Sequence, residues 1–357
     1  MPIIDADAHV VETEATWNYM TEEEAAYRPI IAVDRLAPES SRQYWVIDGK
    51  VRGFPRAAVT GDLAAASARA NRDMMAPEEA RNMENIEVRL KHMDELGIDV
   101  QVLQPTIFIE QVADRPEVEI AMCKSYNRWL AHIWQQAPKR LLWVAMLPLL
   151  DMDVALRELH EAVKNGACGV FLRGFEVDRS LDDPYFFSLY EEASKINIPM
   201  IVHVGNASAG ALSVTRGNGF AAFRLPCVAA FHSLIMSGVP EKFPELRFGF
   251  LESAASWIPF AITDLKRRFP GRRGRALPDN VMKEYRMWVA CQTDDDIEYI
   301  VKYAGEDNLV IGTDYGHSDQ STEIEALRNL QKDATLDQRL VAKILYDNPK
   351  ALYALDT

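Results

Sequence analysis

Pro2-Ile3-Ile4-Asp5-Ala6-Asp7-Ala8-His9 opens the chain as a short strand-forming run that ends in two potential metal ligands. A strand repeats every two residues, so Asp7 and His9 share one face. Taken alone, an Asp-x-His pair reads equally well as a satisfied strand end or as a ligand pair. Outward from it, other apolar runs close in the same way: Met200-Ile201-Val202-His203, Phe248-Gly249-Phe250-Leu251-Glu252 and Leu309-Val310-Ile311-Gly312-Thr313-Asp314. The ends of these runs favour the ligand reading, and side chains that must converge belong at one end of one sheet.

Four further β-rich runs, Asp99 to Gln104, Leu141 to Leu147, Gly169 to Arg173 and Met287 to Cys291, bring the candidate strands to eight. Between most of them lie segments such as Val154 to Val163, whose apolar positions recur near the 3.6-residue period of a helix. Eight such units predict an α/β fold, a (β/α)8 TIM barrel, in preference to an open doubly wound sheet. Active residues of such a barrel sit at the C-terminal ends of its strands, which is where Asp7, His9, Arg173, His203, Glu252 and Asp314 fall. A barrel with insertions accounts for residues 1–357 as a single domain. Residues 10–85 are too many for one connection, and Gln43 to Val51 reads as a hairpin around Asp48-Gly49; the segment is expected to be a cap inserted after strand one. Asn206 to Pro226, with Gly210, Gly217 and Gly219 among small polar residues, is expected to be a mobile loop beside the site. Gly217-Asn218-Gly219 lacks the third glycine of a dinucleotide fingerprint.

Composition narrows the function. At 48% hydrophobic over 357 residues the chain can build a full core, and a formal net charge of −14 argues against polyanionic partners. Lys266-Arg267-Arg268 and Arg272-Arg273 lack interleaved aromatics and read as a solvated helix end, so no nucleic-acid partner is expected. Cys123, Cys168, Cys227 and Cys291 show no paired spacing and read as reduced core thiols. The absence of a basic leader and of any apolar run near membrane-span length predicts a soluble cytoplasmic protein with no membrane partner. A small-molecule substrate is the partner that remains.

The order Asp7-Ala8-His9, His203-Val204-Gly205 and Gly312-Thr313-Asp314-Tyr315, with Phe243-Pro244-Glu245-Leu246-Arg247 leading into strand six, resembles amidohydrolase family two over nearly the whole chain. The resemblance implies a metal held by His9, His203 and Asp314, with Asp7 standing where many members have a first histidine. It also implies a choice between hydrolysis of acyl bonds and nonoxidative decarboxylation of aromatic or muconate-type acids, and a homodimer. Strand six ends in Glu252, where the best-known decarboxylases of the family carry a proton-transferring histidine.

Two imidazoles and two carboxylates make a nitrogen and oxygen donor set suited to zinc, manganese or ferrous iron, with zinc the first choice by prevalence. The expected activity is that of a metal-dependent hydrolase cleaving an acyl C–O, C–N or C–S bond of a small carboxylate-bearing substrate by metal-activated water. Asp314, Glu252 or His232 is expected to move the proton. Nonoxidative decarboxylation is the alternative, and a non-catalytic metal-binding scaffold a further one. His232 lies on an apparent helix just ahead of strand six. Arg173 has a planar fork that suits a substrate carboxylate, although an acidic partner at the rim would occupy it equally well. Arg52 and Arg56 are weaker candidates for the same task. His317 is expected either to support Asp314 or to be a solvent-exposed loop residue. Trp17, Tyr44, Trp45 and Phe54 fit a partly apolar ligand or ordinary core packing.

Overall fold

Every residue of the first strand, Ile4–His9 (β1), is buried, as a strand of a parallel sheet covered on both faces must be. The computed structural model describes residues 1–33, 43–52, 75–215, 217–317 and 321–355. After β1 come three short strands, β2 (Ile30–Val33), β3 (Gln43–Ile47) and β4 (Lys50–Arg52). The sheet then resumes with β5 (Val100–Gln104), β6 (Leu141–Ala145) and β7 (Ala167–Arg173). A two-residue ribbon, β8 (Phe175–Glu176) and β9 (Arg179–Ser180), precedes β10 (Met200–His203), β11 (Phe248–Leu251), β12 (Met287–Cys291) and β13 (Leu309–Ile311).

The eight long-range neighbours run β1-β5-β6-β7-β10-β11-β12-β13, and their pairings are parallel. The seam is drawn together by Asp314 N–H donating to Asp7 O at 2.9 Å and His9 N–H donating to Tyr315 O at 2.8 Å. A Cβ on Gly312 would lie 2.2 Å from the Asp7 Cβ. Only glycine lets the last strand pass so near the first. The TIM barrel and all eight of its anticipated strands are thus present, with ends that differ from the sequence reading by at most three residues.

The hairpin around Asp48-Gly49 forms, with both residues at positive φ (53° and 71°), the conformation a two-residue turn of this kind requires. Its sheet is tied to the loop after β5 by Arg52 and Lys50 pairing with Asp114 and by Arg115 pairing with Asp48. Trp17 and Trp45 are fully buried and meet edge to face at 5.9 Å, so these aromatics serve the core. Phe54 and Arg56 lie outside the described residues.

The glycine-containing stretch after β10 is helical where a loop was expected. Asn206 Oδ1 accepts from Ser208 N–H at 2.8 Å and Ser208 Oγ from Ala211 N–H at 3.1 Å, capping a helix at Ala209–Thr215. A π-turn, Phe220–Arg224, runs directly into the helix Leu225–Ser237. Together Phe220–Ser237 reach 18 residues at a mean hydropathy of 1.4, long and apolar enough to span a membrane by length and composition, with 39% of the stretch buried. The absence of any such run, expected from the sequence, is therefore corrected. Its apolar stripe of Cys227, Ala230, Phe231, Leu234 and Ile235 belongs to the hydrophobic core of the barrel.

Candidate metal centre

Each of the two histidines at the strand ends has one ring nitrogen committed to a backbone carbonyl. His9 Nδ1 lies 3.0 Å from Pro105 O, and His203 Nδ1 lies 2.9 Å from Val204 O. A carbonyl can only accept, so both Nδ1 atoms carry hydrogen, and in the neutral rings both Nε2 atoms present bare lone pairs. Those Nε2 atoms are 3.1 Å apart. Around them stand Asp7 Oδ1 at 3.3 Å from His203 and 3.5 Å from His9, Asp314 Oδ1 at 3.4 Å from His9, and Glu252 Oε2 at 3.1 Å from His203. No donor meets the buried Asp7 Oδ1 in hydrogen-bond geometry.

Buried lone pairs do not converge without compensation. A cation held among them would supply that compensation. His203 is fully buried, which by itself pushes its pKa down, yet the facing Asp7 and Glu252 carboxylates carry it up to about 8. Burial would likewise raise Asp7, but His203 and His9 hold it well below the usual carboxylate range. His9 is driven well below its ordinary value by burial and by the neighbouring histidines, against the opposing pull of Asp7. The same negative field that draws a proton onto His203 fits a divalent ion, and the mixed imidazole and carboxylate donors suit one of intermediate hardness. One donor atom from each of Asp7, His9 and His203, and one from each of His9, Glu252, Asp314 and His317, fall within 4.8 Å of one another.

The backbone is bent to achieve this. Glu252 and Asp314 adopt φ of 61° and 51°, left-handed conformations that cost a residue with a Cβ on the order of 1 kcal/mol each. Glu252 directly follows β11 and Asp314 lies three residues beyond β13, and these turns bring both carboxylates toward the histidines. Thr322 Oγ1 donates to Asp314 Oδ2 at 2.7 Å, which leaves Oδ1 toward the histidines.

Two residues singled out in the sequence are not brought to this centre. His232 lies on the side of its helix opposite the core stripe and places Nε2 3.1 Å from Asp264 Oδ2, half-buried between two outer helices; the proton-transfer role expected for it is corrected. Arg173 ends β7 as anticipated, but its fork is consumed within the protein. Nε and Nη2 donate to Glu176 at 2.8 and 2.5 Å, and Nη1 donates to Phe108 O and Glu110 O at 3.1 and 3.0 Å. The tight β8–β9 ribbon folds Glu176 back onto the arginine three residues earlier, so four of the five guanidinium N–H donors of this buried side chain are spent within the protein. Arg52 lines a cavity of about 540 Å³ beside Glu110, Asp114 and the helix Ala209–Thr215, and none of the six converging residues lines that cavity.

Sequence reasoning passed over a layer beneath the centre. Arg89, fully buried, donates Nε to Gln101 Oε1 at 2.7 Å and Nη1 to His9 O at 3.2 Å, and its guanidinium lies 3.7 Å over the Tyr315 ring. Gln101 in turn donates to Asp5, whose carboxylate accepts from Thr313 N–H and Oγ1 at 2.9 and 2.6 Å. This network joins β1, β5 and the segment after β13. Its only sequence signal was polar residues inside apolar runs.

A family model described as Amidohydrolase matches residues 4–355. The chain is 24% identical over 240 residues to the 2-amino-3-carboxymuconate-6-semialdehyde decarboxylase of Dictyostelium discoideum, a match covering 64% of this chain and 66% of that one, just under two thirds of the relative's length. Among solved structures, an amidohydrolase from Mycobacterium avium subsp. paratuberculosis K-10 superposes with a TM-score of 0.80 at 19% identity, over 99% of each chain. A dihydroxybenzoic acid decarboxylase from Polaromonas sp. JS666, with bound manganese and the inhibitor 2-nitroresorcinol, gives a TM-score of 0.63 at 19% identity, over 84% of this chain and 95% of that one. At these identities the two structures speak to the fold alone.

Proposed function

This chain belongs to the amidohydrolase family, whose model spans residues 4–355, and on that premise we propose that it is a metal-dependent nonoxidative decarboxylase of a small aromatic or muconate-type acid. The observation that carries the reaction is the likeness, across 64% of the chain, to a decarboxylase of a carboxymuconate semialdehyde. The convergence of bare imidazole nitrogens on Asp7, Glu252 and Asp314 carries the metal dependence. Hydrolysis, the first expectation from sequence, is the broad reading of the family and gives way to the alternative. We take residues 1–357 as one domain, with residues 10–85 as a cap segment inserted after strand one.

Asp7, His9, His203 and Asp314 are the proposed ligands. Manganese is placed ahead of zinc, because three carboxylates face the centre and oxygen-rich sites favour harder ions. When bound, such an ion supplies Lewis acidity toward the carboxylate and adjacent oxygen of the substrate. The residues do the rest. In decarboxylation the C–CO2⁻ bond breaks, its electron pair stays on carbon, and a proton takes the place of carbon dioxide. Glu252 faces the same space from the end of β11, and we assign its carboxylate to take up a proton from solvent water and pass it to that carbon. Pro105 O and Val204 O fix the two imidazoles, so that a substrate held beside them would take a single orientation.

The test is a screen of dihydroxybenzoic and muconate-type acids with the manganese-loaded protein in deuterated, oxygen-18-enriched water. Stoichiometric carbon dioxide, with deuterium fixed on the product carbon and no oxygen-18 in a product carboxylate, is the expected result. Oxygen-18 in a carboxylate product of ester or amide substrates, without carbon dioxide, would establish hydrolysis instead.

A further inference from the structure

His317 stands outside the proposed ligand set, yet the structure treats it like its members. It is 6% exposed. Its ring lies against that of His9, with centroids 3.7 Å apart and planes tilted by 31°. The turn that places it uses Gly316 at φ 100°, and His317 N–H donates to Asp314 O at 3.2 Å, which folds the imidazole back over the Asp314 carboxylate. Nδ1 then sits 2.6 Å from Asp314 Oδ1.

The hydrogen-bond directions at the far side of the ring decide what Nδ1 offers. Thr106 Oγ1 lies 2.7 Å from Val10 O and 2.8 Å from His317 Nε2. Its single hydrogen must go to the carbonyl, which cannot donate, so the hydroxyl can only accept from the imidazole. His317 Nε2 is therefore the protonated nitrogen, and Nδ1 of the neutral ring is a bare lone pair. This is the logic of His9 and His203 repeated, with a threonine hydroxyl replacing a carbonyl. Thr106 is itself held, because its N–H and that of Ile107 donate to the buried Glu12 carboxylate at 3.1 and 3.0 Å. A nitrogen 2.6 Å from a carboxylate oxygen needs a proton or a metal ion between them, and with Nε2 already carrying hydrogen a metal ion is the occupant that leaves the ring neutral. Donors on one ion at roughly 2.1 Å stand about 3 Å apart when adjacent and about 4 Å apart when opposite, and the four donor atoms of His9, Glu252, Asp314 and His317 lie within 4.8 Å of one another.

We infer that His317 is a further metal ligand, binding through Nδ1 beside Asp314 Oδ1 and making the centre a three-histidine site. The inference rests on the metal-dependent reading above, and the test separates the two. Wild-type protein loaded with one equivalent of Mn²⁺ is examined by pulsed electron paramagnetic resonance to count coordinated imidazole nitrogens, alongside His317→Ala and His9→Ala. Affinity is measured by competition with a chromophoric chelator. Three nitrogens in the wild type, two in His317→Ala, and an affinity about a hundredfold weaker in that variant are expected. Two nitrogens in the wild type, with an unchanged count in His317→Ala, would overturn the inference while leaving the metal site standing; an imidazolium paired with Asp314 gives this result. Failure of the wild type to bind Mn²⁺, or full retention by His9→Ala, would overturn the metal reading itself. The wild-type count decides the matter even where His317→Ala does not fold.

Discussion

Pro105 O and Val204 O each remove one of the two ways a histidine can stand, and the Thr106 hydroxyl does the same for His317. Thr106→Val keeps the shape but deletes the acceptor for His317 Nε2–H and the donor to Val10 O. Metal affinity should fall about tenfold, within the range for losing a partner that orients a ligand, and chelator competition measures it; an unchanged constant would show that the tautomer is not held there. At nearly constant volume, Glu252→Gln removes the carboxylate that would relay the proton. It should lower kcat by about a hundredfold or more while the ion stays bound, and a variant with wild-type kcat would clear Glu252 of proton transfer. Asp7, His9, His203, Glu252 and Asp314 were legible because each closes an apolar run. Thr106 and Arg89 were not, since their importance lies in which carbonyl or ring they reach across the barrel, and no local pattern encodes that. His232 misled because proximity in sequence to strand six says nothing about which side of its helix a residue occupies.

The elements show a similar division. Barrel strands announce themselves by buried β-branched runs, and all eight were legible; the helix after β10 was not, because its start depends on Asn206 and Ser208 side chains capping a segment that glycines would otherwise leave open. Arg173 illustrates what a two-residue ribbon can do. Its carboxylate partner sits at i+3, a spacing that gives no hint of burial until β8 and β9 are seen to reverse the chain. The arginine joins β7 to the loop after β5 through Phe108 O and Glu110 O. Arg173→Met therefore leaves Glu176 buried without its cation and should destabilise the fold by about 3 kcal/mol or more, with little selective effect on KM. Calorimetric unfolding measures this, and adding Glu176→Leu should recover most of the loss, because removing both charges avoids the unpaired one. A raised KM at unchanged melting temperature would return Arg173 to the substrate site.

Across the whole molecule the buried titratable groups couple stability to pH, and the metal alters that coupling. Glu12 and Glu119 are each pushed by burial from 4.5 up to about 7, with weaker opposition from the groups that hydrogen-bond them. His203, despite burial, is carried from 6.5 up to about 8 by Asp7 and Glu252. All three bind protons more tightly in the folded chain than in the unfolded one, so each contribution is present below the unfolded value and is lost as pH rises through the folded value. His9 has the opposite sign, its folded value lying well below 6.5, and its effect is confined to lower pH. Between about pH 6.5 and 8 the metal-free protein should therefore lose stability, with His203 alone contributing about 2 kcal/mol to the fall. A bound ion must displace the His203 proton, so its affinity rises over the same window by up to about tenfold per pH unit, adding about 1.4 kcal/mol of stabilisation for each such step at fixed excess metal. The melting temperatures of chelator-treated and manganese-saturated protein should diverge as pH rises from 6.5 to 8. Parallel curves would mean that metal and proton do not compete for His203, and would remove that histidine from the ligand set.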